Sequence, residues 1–327
     1  MTAVTQVRDQ PPRRADPGRP PPPPPARRPR RRATALAPRD KLVLGLMLGV
    51  PSLVHLLFVW VPALGSVALS FSSWDGIGGF ADIEWVGFRN YVDILTRYPR
   101  FWPALRHNVV WLLFLLVVPT VAGLLLAVLL DRRLRFGRLY QSVLYLPMVL
   151  SLALVGFIWQ LVYQPEQGLL NHLLGTASTD PVNWLGDPDV NLYAVLVAAG
   201  WRHTGYIMLL YLAGLKAVDP SLREAAALDG ATAWQTFFRV TFPVLKPVNV
   251  VVLVVTVIEG LRAFDIVYVI NKGRNGLELL SVLVTDNIIG ESSRIGWGSA
   301  LAVVLLLISL GFIVTYLFQV FREEERA

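Results

Sequence analysis

The chain has 327 residues, 54% of them hydrophobic and only 16% charged, with a formal net charge of +7. A soluble domain carries about a quarter charged residues, so this balance points to lipid as the solvent. Cysteine is absent, which excludes disulfides, thiol catalysis and cysteine-based metal sites.

The positive charge belongs to the amino terminus. Residues 1–41 hold 11 Lys/Arg and 3 Asp/Glu, while the rest of the chain holds 19 and 20. It is therefore no recognition surface, and no nucleic acid is expected as a partner. The tail contains PPRRADPGRPPPPPPARRPRRR. Proline cannot continue a helix and the arginines repel one another, so residues 1–40 are expected to be disordered and partly polyproline II. The alternative to a solvated extension is a contact with anionic lipid or a partner. The charged region and the apolar run after it are both too long for a secretory signal.

A membrane helix needs about 20 mostly apolar residues. Six segments qualify, at about 42–71, 107–130, 141–163, 192–215, 248–270 and 299–321. The expected fold class is thus an all-α polytopic membrane protein, with one six-span domain over 41–321 and a short tail at 322–327. Loop charges set the orientation, because cytoplasmic connections are rich in Lys and Arg. DRRLRFGRLY, between spans two and three, carries Arg132, Arg133, Arg135 and Arg138. The connection 164–191 has no Lys or Arg but has Glu166, Asp180, Asp187 and Asp189. Both termini and the loop 216–247 are therefore expected inside.

That loop reads like a soluble helical pair. Asp219-Pro220 offers an N-cap carboxylate followed by proline at the first helical position, and Ser221 with Glu224 offers an alternative capping box. Asp229-Gly230 then breaks the run, since glycine takes the positive φ that ends a helix. Trp234, Phe237 and Phe238 follow at i, i+3, i+4, on one face of a second short helix. Pro243 and Pro247 are expected to stop that helix and turn the chain into span five. An aromatic face in an aqueous loop must be covered by headgroups, by its own bundle or by another protein.

The loop resembles the EAA loop of permeases of binding-protein-dependent ABC transporters, EAA-x3-G-x9-hydrophobic-x-hydrophobic-Pro. Here Glu224-Ala225-Ala226 is followed by Gly230, then Val240, Phe242 and Pro243, with every spacing kept. Ala213-Gly214-Leu215 before it and Asp229-Gly230-Ala231 within it also match. The resemblance implies a type I importer permease fold in which this loop couples to a separate ATPase. Glu224, Ala225, Ala226, Asp229, Gly230, Trp234, Phe237, Phe238 and Pro243 are then the contact residues, and Gly230 tolerates substitution worst. It further implies a place in the plasma membrane of a bacterium, a second homologous permease, a cytoplasmic ATPase dimer that holds the ATP and Mg, and an extracytoplasmic solute-binding protein. This chain itself would need no cofactor. Over residues 40–320, Trp201-Arg202 and the run Phe264 to Ile270 are similar to carbohydrate-type permeases of the maltose and glycerol-phosphate kind. The chain departs from them after Ile270, where a T-x-GGP stretch is replaced by Asn271-Lys272-Gly273-Arg274-Asn275-Gly276.

Span five carries Glu259, Arg262 and Asp265. Glu259 lies about 16 Å from the inner end, near the middle of a ~30 Å core. A charge there costs a few kcal/mol (about 2.5–3.5) unless it faces protein or water. Glu259 can pair with Arg262 three residues on, and Arg202 in span four can pair with Glu259 or Asp265. Arg202, Glu259, Arg262, Phe264 and Asp265 are the candidate substrate path, against the alternative of an ion-pair network locking spans four and five.

No lysine follows a glycine, so no Walker A loop exists and ATP hydrolysis is expected elsewhere. No catalytic constellation is evident, and His55, His107, His172 and His203 lack metal-ligand spacing. The expected function is the membrane subunit of a sugar or oligosaccharide importer. Glycerol 3-phosphate or another polyol derivative is the alternative substrate, and a multi-span enzyme or scaffold the alternative class. A secondary transporter would show internal repeats and broken helices, neither evident in the sequence.

Overall fold

The computed structural model describes residues 37–77, 79–132, 134–290 and 293–324. The expected disordered tail, up to residue 36, and residues 325–327 of the carboxy-terminal tail lie outside them, as does Arg133. Among the described residues every regular element is a helix, and the one bridge of extended chain joins Ser72 to Trp85.

The chain falls into two units, one ending at Leu56 and one running from Leu57 onward. The first contains α1 (Pro38–His55), which starts with proline at its first helical position and carries Pro51 inside. A π-helical turn, Leu56–Trp60, follows it in sequence.

The second unit holds the remaining helices. They are α2 (Val61–Leu69), α3 (Arg89–Arg97), α4 (Phe101–Asp131), α5 (Gly137–Val149), α6 (Leu152–Val162), α7 (Leu169–Leu174) and α8 (Asn191–Ala217). Next come α9 (Pro220–Leu228), α10 (Ala233–Thr236), α11 (Phe242–Val244), α12 (Lys246–Leu261), α13 (Asp265–Asn271), α14 (Leu280–Ile288) and α15 (Ile295–Glu324). The last of these carries Arg322 to Glu324, expected in a tail, as helix.

Three runs are each long and apolar enough to cross a membrane: Pro38–Leu69, Phe101–Asp131 and Ile295–Thr315. The other expected spans are less plain. Span three is two helices, α5 and α6, bent by 99° at Leu150-Ser151. Ser151 starts the second half as its N-cap, its Oγ accepting from the Leu154 N–H at 3.2 Å. Span four is continuous in α8 but has Arg202 and His203 in its middle. Span five is also two helices, because α12 stops at Leu261 and α13 begins at Asp265. Broken helices, not evident in the sequence, are therefore present in both.

Glycines let the helices approach where they cross. A Cβ on Gly123 of α4 would stand 2.8 Å from Ile207 Cγ2 of α8, and one on Gly260 of α12 would stand 2.9 Å from Leu112 of α4. At Gly205 of α8 the neighbour is backbone: a Cβ would stand 2.5 Å from the Leu144 carbonyl oxygen of α5. A backbone oxygen cannot move aside as a side chain does. Gly205→Ala is therefore expected to cost about 1–3 kcal/mol, read as a lower melting midpoint in detergent. Gly311→Ala, with no other part of the described residues outside its own helix backbone within 4 Å of the added carbon, is expected not to lower the midpoint.

Three apolar clusters hold the unit. One joins Trp111 and Leu115 of α4 to Val195 of α8 and Val267 of α13. A second joins Ala127, Ile207, Met208, Leu215, Leu245 and Val252, beside α9 to α11. A third joins Ile94, Phe101, Leu283 and Leu301. Buried amides tie the loops at the other end. Asn171 donates to the carbonyls of Pro165 and Val182, and Asn191 donates to those of Leu185 and Asn275.

Candidate functional site

The loop between α8 and α12 resolves the alternative caps. The Asp219 carboxylate accepts from the Ser221 N–H at 2.9 Å and Pro220 opens α9. This bond holds the Asp219 carboxyl below the usual carboxylate range. A depressed value means the cap contributes above the unfolded carboxylate pKa and is lost as pH falls through the folded one. Two bonds close the other end of α9, Gly230 N–H to Ala227 O at 3.1 Å and Ala231 N–H to Ala226 O at 3.0 Å. This is the Schellman arrangement, which needs a left-handed residue at its centre. Gly230 supplies it with φ +80°.

The second half departs from expectation. Thr232 caps α10, its Oγ1 accepting from the Gln235 N–H while its own N–H donates to Gln235 Oε1 at 2.8 Å. Pro243 does not stop the helix. A π-helical segment, Phe237–Thr241, precedes it, and the Phe242 N–H bonds to Phe237 O, five residues back. The wider turn accommodates a residue with no N–H to give, so the chain continues through α11. Pro247 likewise stands in the first turn of α12 rather than ending anything. The aromatic face also divides. Trp234 and Phe238 are exposed, with ring centroids 4.4 Å apart, and Leu228 is 89% exposed. Phe237 turns into the second apolar cluster of the bundle. Ala226 is buried, while Glu224, Ala225, Asp229 and Pro243 are exposed.

One residue of this loop was missed in the sequence. The Arg223 guanidinium donates from Nη1 to Asp131 Oδ2 at 2.7 Å and from Nη2 to the Leu215 carbonyl at 3.1 Å. A signal for it existed. Asp131 is the last residue of α4, where the negative end of the helix dipole disfavours a carboxylate unless a cation lies near.

The five candidate path residues come together. Arg202, Glu259, Arg262, Phe264 and Asp265 line one cleft with Trp111, Leu115, Leu152, His203 and others. Arg202 Nη1 pairs with Glu259 Oε1 at 3.2 Å, joining α8 to α12. Arg202 is 20% and Glu259 40% exposed. The Glu259–Arg262 pair does not form among the described residues. Arg262 is the C-cap of α12, its N–H still bonded to the Ile258 carbonyl at 3.0 Å, and Glu259 pairs instead with Arg202 of α8. Phe264 sits at the break and stacks on Tyr268 with centroids 4.9 Å apart. The Ala263 carbonyl freed by the break accepts from the Ser281 hydroxyl. Beside the ion pair, buried His203 Nε2 lies 3.0 Å from Thr256 Oγ1. Thr256 is three residues before Glu259, on the same face of α12.

The cleft has about 50 Å³ of water-accessible space, room for a few waters. Among the described residues, buried Arg202 Nε has no hydrogen-bond partner. The arrangement offers two cations, two carboxylates and an aromatic stack at a break where backbone leaves its helix.

The family described as "Binding-protein-dependent transport system inner membrane component" matches residues 119–324. The xylose/arabinose import permease protein XacH of Haloferax volcanii is 33% identical over 279 residues, covering 84% of this chain and 87% of that protein. The trehalose/maltose transport system permease protein MalF of Thermococcus litoralis is 32% identical over 275 residues, covering 84% and 92%. A chain in the crystal structure of a bacterial alginate ABC transporter, in complex with an alginate pentasaccharide-bound periplasmic protein, superposes with a TM-score of 0.74. It is 20% identical, with 85% of this chain and 93% of that one covered, a likeness of fold. The chain therefore belongs to the inner membrane components of binding-protein-dependent transport systems, and is a multi-pass membrane permease of the ABC importer type.

Proposed function

We propose that this chain is half of the translocation path of an importer for a neutral sugar or oligosaccharide. Six spans would cross the membrane: the run through α1 and α2, then α4, α5–α6, α8, α12–α13 and α15, with both termini inside. Arg132, Arg135 and Arg138 at the α4–α5 connection favour that orientation. The second half of the path would come from a homologous permease. ATP hydrolysis would reside in a separate ATPase dimer that receives α9 to α11, with Trp234, Phe238 and Leu228 as the exposed apolar surface for its groove. A solute-binding protein outside would deliver the sugar. The relatives named for xylose/arabinose and trehalose/maltose support the substrate class.

The observation that carries the reading is the composition of the cleft. Arg202 and Arg262 are matched by Glu259 and Asp265, so the wall is neutral overall yet rich in charged hydrogen-bonding groups. Such a wall suits hydroxyls, each bond to a charged group contributing about 1.5–3 kcal/mol. A phosphate ester would call for a surplus of cations. A space of about 50 Å³ also fits half a site that opens during the cycle rather than a preformed sugar pocket.

The test is uptake by the complete transporter in proteoliposomes with ATP and its binding protein, across a panel of neutral sugars and glycerol 3-phosphate. Neutral sugar is the expected cargo, and preferential uptake of glycerol 3-phosphate overturns the reading. Asp265→Asn is expected to lower sugar uptake about tenfold or more, the equivalent of one charge-assisted hydrogen bond.

A further inference from the structure

The coupling helix α9 is joined to α8 by two extended residues, Val218 and Asp219, with ψ of 128° and 123°. A link of that kind is a swivel. Left alone, it would let α9 rotate without moving the helices behind it. The Arg223 fork removes that freedom. Its Nη1 holds Asp131, the last residue of α4, at 2.7 Å, and its Nη2 holds Leu215 O, in the last turn of α8, at 3.1 Å. One cation thus meets the negative ends of two helices. It also satisfies a carbonyl in α8's last turn, where the helix's own ladder runs out.

The two helices so held act as one body. Gly123 admits Ile207, and Gly200 admits Phe114, each at a distance where an added carbon would stand 2.8 Å away. Both helices reach the cleft, α4 with Trp111 and Leu115 and α8 with Arg202 and His203. Arg202 lies about 20 Å along α8 from Leu215 at 1.5 Å per residue.

We propose that Arg223 is the positioning residue that transmits displacement of α9 to the α4–α8 pair and so to the cleft. It does not itself grip the ATPase. Its guanidinium is turned into its own bundle, whereas Trp234, Phe238 and Leu228 face outward. Lysine cannot replace it fully, because a point charge does not offer the planar fork that reaches a carboxylate and a carbonyl together.

This inference rests on α9 to α11 being the ATPase-coupling loop, and the test separates the two. The complete transporter is purified with its ATPase and reconstituted with the binding protein. ATPase co-purification, unstimulated ATP hydrolysis, hydrolysis stimulated by loaded binding protein, and uptake are measured. Arg223→Ala is expected to keep co-purification and unstimulated hydrolysis while stimulation and uptake fall about tenfold or more. Asp131→Ala is expected to act the same way, and the double variant to be no worse than either, because both remove one linkage. Should Arg223→Ala fail to insert, Arg223→Lys, which keeps the charge and loses the fork, carries the same comparison. Full stimulation in Arg223→Ala overturns the proposal, as do additive losses in the double variant. Loss of co-purification also overturns it, since it would make Arg223 a docking residue. Failure of the underlying reading would appear elsewhere, as undiminished uptake when Gly230 is changed.

Discussion

Gly230→Val is expected to reduce uptake by the complete transporter by about tenfold or more while the permease remains inserted. The cause is conformational. Gly230 holds φ +80° at the centre of the α9 cap, and among the described residues no atom beyond its two chain neighbours lies within 4 Å of where a Cβ would stand. A side chain there meets no neighbour in its own fold, but an L-residue in the left-handed region costs about 1–2 kcal/mol. Branching at Cβ restricts the backbone and χ1 further. The chain would relieve the strain by opening the two bonds from Gly230 and Ala231, which changes the angle between α9 and α10. The melting midpoint in detergent should move little, because no core is disturbed. Gly230→Asn is the control, since asparagine tolerates the left-handed region. It should retain more uptake than valine. Undiminished uptake with valine would remove the coupling role from this loop.

Glu259→Ala is expected to impair both stability and transport. Arg202 is 20% exposed and Glu259 is its ion-pair partner at 3.2 Å. Removing one partner of a buried pair costs about 3–5 kcal/mol. The 40% exposure of Glu259 screens part of that, and a loss of about 2 kcal/mol is the expected size. Uptake should fall about a hundredfold, since the cleft loses a hydrogen-bonding group and gains an unbalanced cation. The double variant Arg202→Met/Glu259→Ala decides between the two readings of the pair. Thermal unfolding should recover, because no buried charge is left alone. Uptake should stay low if the pair serves the solute. A double variant that regains both would make the pair a lock between α8 and α12 and nothing more.

The two sites were legible to different degrees. In the loop between α8 and α12, Asp219, Pro220 and Gly230 act on their immediate neighbours, so their pattern alone specified a cap, a helix and an elbow. The same logic failed at Pro243. A proline stops a helix only if the turn before it stays α, and the π segment from Phe237 relieves that constraint. By spacing, Phe237 shares a helical face with Trp234 and Phe238, yet it packs on the second apolar cluster while they stay exposed. In the membrane, the candidate residues were marked by the expense of charge in lipid, which applies to each residue singly. Their partners were not marked. Arg262 was the nearest cation to Glu259 along the chain, but Glu259 pairs across the bundle with Arg202 of α8.

The sequence by itself determined the solvent, the helical class, the loop charges that favour one orientation, and the EAA-like motif with its glycine break. All of these follow from hydropathy, charge and hydrogen bonds acting over a few residues. Only the tertiary structure decided that Arg202 meets Glu259, that Arg223 meets Asp131, and that the third and fifth apolar segments break beside one cleft. Those pairings depend on how each helix is rotated and where it crosses its neighbours. Close approaches at Gly123, Gly205 and Gly260 fix those rotations, and helix packing is a property of surfaces in contact rather than of any single stretch of chain.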